Sequence, residues 1–160
     1  MSQTTYTSQP GESYQGMLGD SKETDIISRA LGGATNVEFG KMLAYGATPA
    51  KECAPLADGA AAITFAGVAV HRHTPDRASL TADEGIVPDE MVDLLRKGRV
   101  WVPVDEAVTP GEAVYVVHTG ATKGSFRKSA DGGNTLVIAG ASWQSTTGAA
   151  GIALLDLNLP

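Results

Sequence analysis

Cysteine, aromatic side chains and charge are all scarce in this chain. The single cysteine, Cys53, has no partner for an intrachain disulfide and suits a reducing compartment. Aromatics make up 6% of the 160 residues and charged residues 19%, the latter below the usual quarter. No apolar run reaches the ~18 residues that a membrane helix needs. The opening stretch, Met1 to Gly16, has neither a positive start nor an apolar centre, so it does not read as a signal peptide. The net charge is −6 and the pI about 4.9, without a large basic cluster. That argues against binding to nucleic acid or to an anionic membrane, because both need Lys and Arg gathered on one face. The length suits one domain, which at this size buries roughly 70% of its unfolded surface and needs no staples.

What is present is glycine, 19 residues of it, set among short β-type patterns. Residues 1–19 hold few large apolar groups, namely Tyr6, Tyr14, Met17 and Leu18, too widely spaced for a core. They read either as an arm that anchors in grooves of a neighbouring subunit or as a disordered terminus. Asp20 to Gly33 fits a short helix or a strand, and the β character of the rest of the chain favours a strand. Asn36 to Gly46 reads as a bent strand with a bulge at Gly40. Residues 46–60 and 74–90 read as long loops, with a strand from Ala62 to His71 between them. Pro88 to Arg96 suggests a single helical turn. Val100, Val102 and Val104 alternate cleanly, and Pro103 places that end at an edge or strand terminus. Thr109-Pro110-Gly111-Glu112 has the type II turn signature. Further strands are expected at 113–118, 123–128, 135–139 and 151–159. In the last, apolar residues on both faces suit a central strand or a subunit contact. Seven to nine strands joined by turns predict an all-β domain over residues 20–160. The expected form is an antiparallel sandwich or barrel, jelly-roll-like, behind an extended N-terminal arm.

Chemistry is hard to find. His71 and His73 lie on one face of an extended segment and supply half of a metal site, with Asp76 or His118 as further ligands. The plainer reading is a strand that runs into a polar loop. Cys53 lacks any nucleophile signature and suits a small buried side chain or a neutral surface thiol. Gly120 to Ser125 looks superficially like a phosphate loop, but Gly124 separates Lys123 from Ser125 and a strand comes next. Arg96-Lys97-Gly98-Arg99 is the one basic cluster, better suited to a turn or to acidic groups of a protein partner than to nucleic acid. Asp83-Glu84 and Asp105-Glu106 have no partner at defined spacing and read as loop charge. No catalytic, metal-binding or cofactor-binding residue is assigned, and the chain does not read as an enzyme.

Taken together, these segments resemble the structural cement, or capsid decoration, proteins of tailed bacteriophages. The resemblance runs over nearly the whole chain. It rests on Ser2 to Tyr6, Asp25 to Ala30, Phe39-Gly40, Gly67 to His71, Leu95 to Val102, Gly124 to Arg127 and Ala153 to Leu159. The Leu-Arg-Lys-Gly-Arg-Val-Trp-Val block and the terminal block are the most distinctive. The resemblance implies a protein of the virion, made in the host bacterial cytoplasm. It would sit on the outer capsid surface, clamp capsomers of the major capsid protein, and act as a dimer or trimer. It brings no catalytic residues and no cofactor.

Partner contacts are then expected from three places. One is the β body, through Trp101 and an apolar face near Leu155, Leu157 and Leu159. Another is the arm, through Tyr6, Tyr14 and Met17, since aromatic anchors dominate interfaces. The third is the pair of long loops. A competing reading is a carbohydrate-binding or host-attachment β domain, which needs exposed aromatic platforms; only Trp101 and Trp143 are on offer. A small hydrolase comes third, for want of a nucleophile or acid–base pair.

Overall fold

The structure is a computed structural model that describes residues 13–20, 23–59, 63–71 and 85–160. Tyr6, His73, Asp76, Asp83-Glu84 and most of the 74–90 loop lie outside the described residues. Ten strands form: β1 (Asp25–Leu31), β2 (Met42–Tyr45), β3 (Glu52–Ala54), β4 (Phe65–Ala69), β5 (Met91–Val104), β6 (Tyr115–Val117), β7 (Phe126–Arg127), β8 (Thr135–Val137), β9 (Ala141–Trp143) and β10 (Gly151–Asn158). The fold is all-β, and among the described residues there is no helix.

Of the architectures left open by the pattern, the chain takes the barrel. β1 pairs with β3, β3 with β2, β2 with β4, β4 with β5, and β5 back with β1, which closes a five-stranded ring. The ring is mixed, because β1 and β3 run parallel; β5 and β7 also run parallel. Its interior draws on every barrel strand: Leu31, Leu43, Cys53, Ala66, Ala69, Val92 and Leu94. Small residues at several of these positions suit the narrow lumen of so small a barrel. Val37 and Ile86, which pair with each other outside the named strands, pack against the same group.

A larger core lies outside the ring. Met42, Val68 and Leu95 turn outward from β2, β4 and β5 and meet Val100, Val102, Val104, Val116, Phe126, Trp143, Ala153, Leu155 and Leu157. Each fully buried aliphatic side chain here contributes about 1.5–3 kcal/mol relative to exposure. β10 lies along β5 from Gly151↔Val104 to Asn158↔Lys97, and β9 lies beyond it.

β5 serves both cores, and Gly98 makes this possible. Leu95 faces the larger core on an odd position, Val100 on an even one. The intervening Gly98 has φ +126°, a conformation that L side chains avoid. The opposing β1 shifts register between Asp25 and Ile26, opposite Lys97 and Leu95. One irregular step of this kind flips every later side chain to the other face.

Three local expectations change. The expected loop at 46–60 contains β3, whose Cys53 is needed to line the barrel. The expected helical turn at 88–96 is instead the start of β5, where pairing with β1 and β4 outweighs a weak helical preference. The bulge expected at Gly40 falls between Leu43 and Ala44, opposite β4, while Gly40 itself sits in a turn and donates its N–H to Ala69 O at 2.7 Å.

Candidate functional site

The block Leu95 to Val102 is where the beginning and the end of the described chain meet. The Gly16 N–H donates to Trp101 O at 2.8 Å, the Trp101 N–H to Met17 O at 2.9 Å, and the Gly19 N–H to Arg99 O at 2.8 Å. Leu18 bridges to Val100 in antiparallel fashion. Residues 16–19 therefore lie against β5 as a strap. Charge adds to the backbone pairing. Arg99 pairs with Asp20 at 2.7 Å and with Asp156 at 3.5 Å, and Lys97 pairs with Glu23 at 3.1 Å. Arg96 hydrogen-bonds through its guanidinium to the Pro160 carbonyl. The one basic cluster of the sequence is thus spent on holding both ends of the described chain to β5.

The strap continues to His71. The His71 N–H donates to Gly16 O at 2.8 Å, and its ring lies 5.1 Å from Tyr14 and 4.8 Å from Phe39. Tyr14 is still 51% exposed. Met17 and Trp101 are half-buried. Leu155 and Leu157 are fully buried between β5 and β9, so they belong to the chain's own core. This corrects their assignment to a partner-binding face: β10 is the central strand that its two-sided apolar pattern also allowed. Leu159 is half-buried against the same core.

The candidate chemical groups serve the fold. Cys53 lies in the barrel interior with its thiol 3.5 Å from Ala30 O, and burial pushes that thiol up to about 11. His118 is buried, with Nδ1 2.9 Å from Thr119 Oγ1. Among the described residues, no three His, Cys, Asp or Glu side chains gather as a metal site would require. Asp105 accepts from Thr122 at 2.7 Å. Glu106 Oε1 accepts from Lys128 N, Ser129 N and Ser129 Oγ at 2.7–3.0 Å and lies 3.4 Å from Arg127 Nε. Burial alone would raise its carboxyl, but the Ser129 and Lys128 bonds and the Arg127 charge outweigh it and hold the group below the usual value. This clamp, which ties the end of β7 to the turn after β5, was not legible in the sequence. Glu106 and Ser129 are far apart along the chain, and neither belongs to a motif.

Concavities open on the surface among the described residues. A cleft of about 450 Å³ lies among Asn36, Lys41, Leu56, Ala121 and Lys123. Its cations already have partners: Lys41 bonds Ser125 Oγ at 2.6 Å and faces Glu38 at 3.5 Å, and Lys123 pairs with Asp58 at 2.6 Å. A wider hollow of about 700 Å³ is lined by Ala44, Tyr45, Pro49, Ala54 and Ile63. Of the two tryptophans, Trp143 is buried and donates its Nε1–H to Ala113 O, so it offers no platform for a sugar.

The sequence matches, over residues 2–158, the family described as structural cement protein (E217 gp24/Pam3 gp6). The chain belongs to the phage structural cement protein family. A similar solved structure is a chain of "The capsid of Myoviridae Phage XM1", 18% identical, with a TM-score of 0.73 over 96% of this chain and 94% of that one. At that identity the likeness speaks for the fold. No curated protein matches the chain. As a cement protein it is a structural component of the phage capsid, associated with the shell. The Leu95–Val102 block and the terminal Ala153–Leu159 block, on which the resemblance chiefly rested, are the paired segments at the centre of the cement protein's fold.

Proposed function

We propose that this cement protein sits on the outer surface of the phage head, binds the major capsid protein across neighbouring capsomers, and works as a homo-oligomer of two or three copies. Residues 1–19 serve as an arm and residues 20–160 as the body, with Tyr6, Tyr14 and Met17 reaching a neighbour and Trp101 and Leu159 near the contact. It performs no catalysis and binds neither nucleic acid nor membrane. The observation that carries this reading is the family match over residues 2–158. It is supported by a body whose described charged side chains are largely engaged in ion pairs within the fold. Many weak contacts repeated over a shell sum to high avidity, so no single site need be chemically special.

Co-sedimentation of the purified protein with empty, expanded shells of its major capsid protein tests the proposal. Saturable binding at a fixed ratio to capsid subunits is expected, and the ratio would identify the symmetry axis occupied. Absence of binding at micromolar protein would refute it. Removal of residues 1–12, which leaves the pairing of 16–19 with β5 intact, is expected to weaken binding. Unchanged binding would remove Tyr6 and the rest of residues 1–12 from the mechanism, leaving only Tyr14 and Met17 of the arm.

A further inference from the structure

From Gly132 to Leu155 the chain contains no Asp, Glu, Lys, Arg or His, although its net charge is −6. Much of this stretch is at the surface: Gly132, Asn134, Ala139, Ser142 and Gln144 are exposed. Val137 is the most exposed large apolar side chain among the described residues, at 59%. Loss of charged residues is the compositional mark of an interface centre.

Among the described residues, the backbone of β8 is open on one side. The Ile138 N–H donates to Val114 O at 2.9 Å and the His118 N–H to Asn134 O at 2.8 Å. In the antiparallel β6–β8 register, bonded and non-bonded pairs alternate. Val116 and Leu136 are therefore a bonded pair, and Thr135 and Val137 turn their N–H and C=O groups away from β6. No described strand takes them up, because β8 ends the sheet. Edge strands are normally protected by short length, a lysine, a proline or a bulge, and β8 is three residues long. β8 and its flanks have neither lysine nor proline.

We propose that β8 is the seam at which two copies of this chain join. A two-fold axis through Leu136 sets Thr135 of each copy opposite Val137 of the other. Both residues point their main-chain groups outward, so the seam makes two bonded pairs, each exchanging both of its N–H···O bonds. β-branched side chains then face one another, a favourable cross-strand match. A second copy fits better than a foreign strand because the edge is complementary to itself and brings no like charges together, although each copy is acidic. The seam deepens the homo-oligomer part of the proposed function and rests on it.

Sedimentation equilibrium of the full chain at tens of micromolar, beside Val137→Lys and Val137→Pro, tests the seam. Lys at this exposed position places a charge near its own copy across the axis. Pro removes only the outward-facing N–H and leaves the β6 ladder whole. The native chain is expected as a two-copy species and both variants as single copies with unchanged melting temperature. Their binding to empty shells should fall at least about tenfold through lost avidity. A native single copy, or variants that pair as the native chain does, would overturn the seam. A native single copy whose shell binding is abolished by Val137→Lys would assign the edge to a capsid strand instead. A pair that Val137→Lys splits, with no shell binding by the native chain, would uphold the seam and remove the cement role.

Discussion

The Arg99 guanidinium lies 2.7 Å from the Asp20 carboxylate, across the strap that leads into the fold. The same side chain reaches Asp156 on β10, so one residue of β5 holds both the start and the close of the described chain. It adds an ionic link to the backbone bonds that tie residues 16–19 to β5 and to His71.

Breaking this link should cost little in stability and show itself through salt. Both partners are about a third exposed, so Asp20→Ala is expected to lower unfolding free energy by only about 0.5 kcal/mol. Arg99→Ala should cost more, because the contact with Asp156 is lost as well. Urea melts at low salt and near 1 M salt check this: the Asp20→Ala difference should shrink as the Debye length falls to about 3 Å.

Gly67→Ala should be far more damaging. Gly67 has φ +149°, and a Cβ there would lie 2.7 Å from the Leu95 carbonyl oxygen, which is strand backbone that cannot step aside. A loss of roughly 2–4 kcal/mol, or an insoluble chain, is expected. A soluble variant with native melting temperature would contradict the close approach of β4 to β5.

Glu106 predicts an acid limb to the stability curve. Its folded value lies below its unfolded one, so its contribution is full above the unfolded value of about 4.3 and is lost as pH falls through the folded value. Glu106→Gln should lower stability at neutral pH and flatten this limb. Chemical denaturation at a series of pH values from neutral into acid measures both effects. An unchanged acid limb would show that the Ser129 clamp is not linked to folding.

Cys53 should resist thiol reagents until the barrel opens. It is fully buried, and its thiol is raised to about 11. Native protein at pH 8 is expected to react only through opening, at a rate that rises with denaturant. The unfolded thiol ionises near its ordinary value of about 8.5, so the same shift reduces stability as pH climbs from there towards 11. Rapid labelling of the native chain would contradict its place inside the ring.

The sequence was legible where a pattern is local. Val100, Val102 and Val104 alternate within a few residues, and this period marks a strand regardless of its neighbours. Tyr14 and Met17 stand apart from any core pattern in the sequence, and their docking on His71 and β5 depends on residues far along the chain. Leu155 and Leu157 show the limit most clearly. An apolar residue on each parity suits either a covered strand or an exposed contact, and only β5 and β9 on its two sides make β10 the former.

By itself, then, the sequence determined an all-β chain without an evident chemical centre, and its Leu95–Val102 and Ala153–Leu159 blocks marked the family. Tertiary structure decided the closure of the five-stranded ring, the burial of Cys53, the strap on β5 and the place of β8 at the end of the sheet among the described residues. Strand formation follows from backbone and side-chain preferences over a few residues. Ring closure and free edges depend on which distant strands become neighbours, and that choice is made by burial and pairing of the chain as a whole.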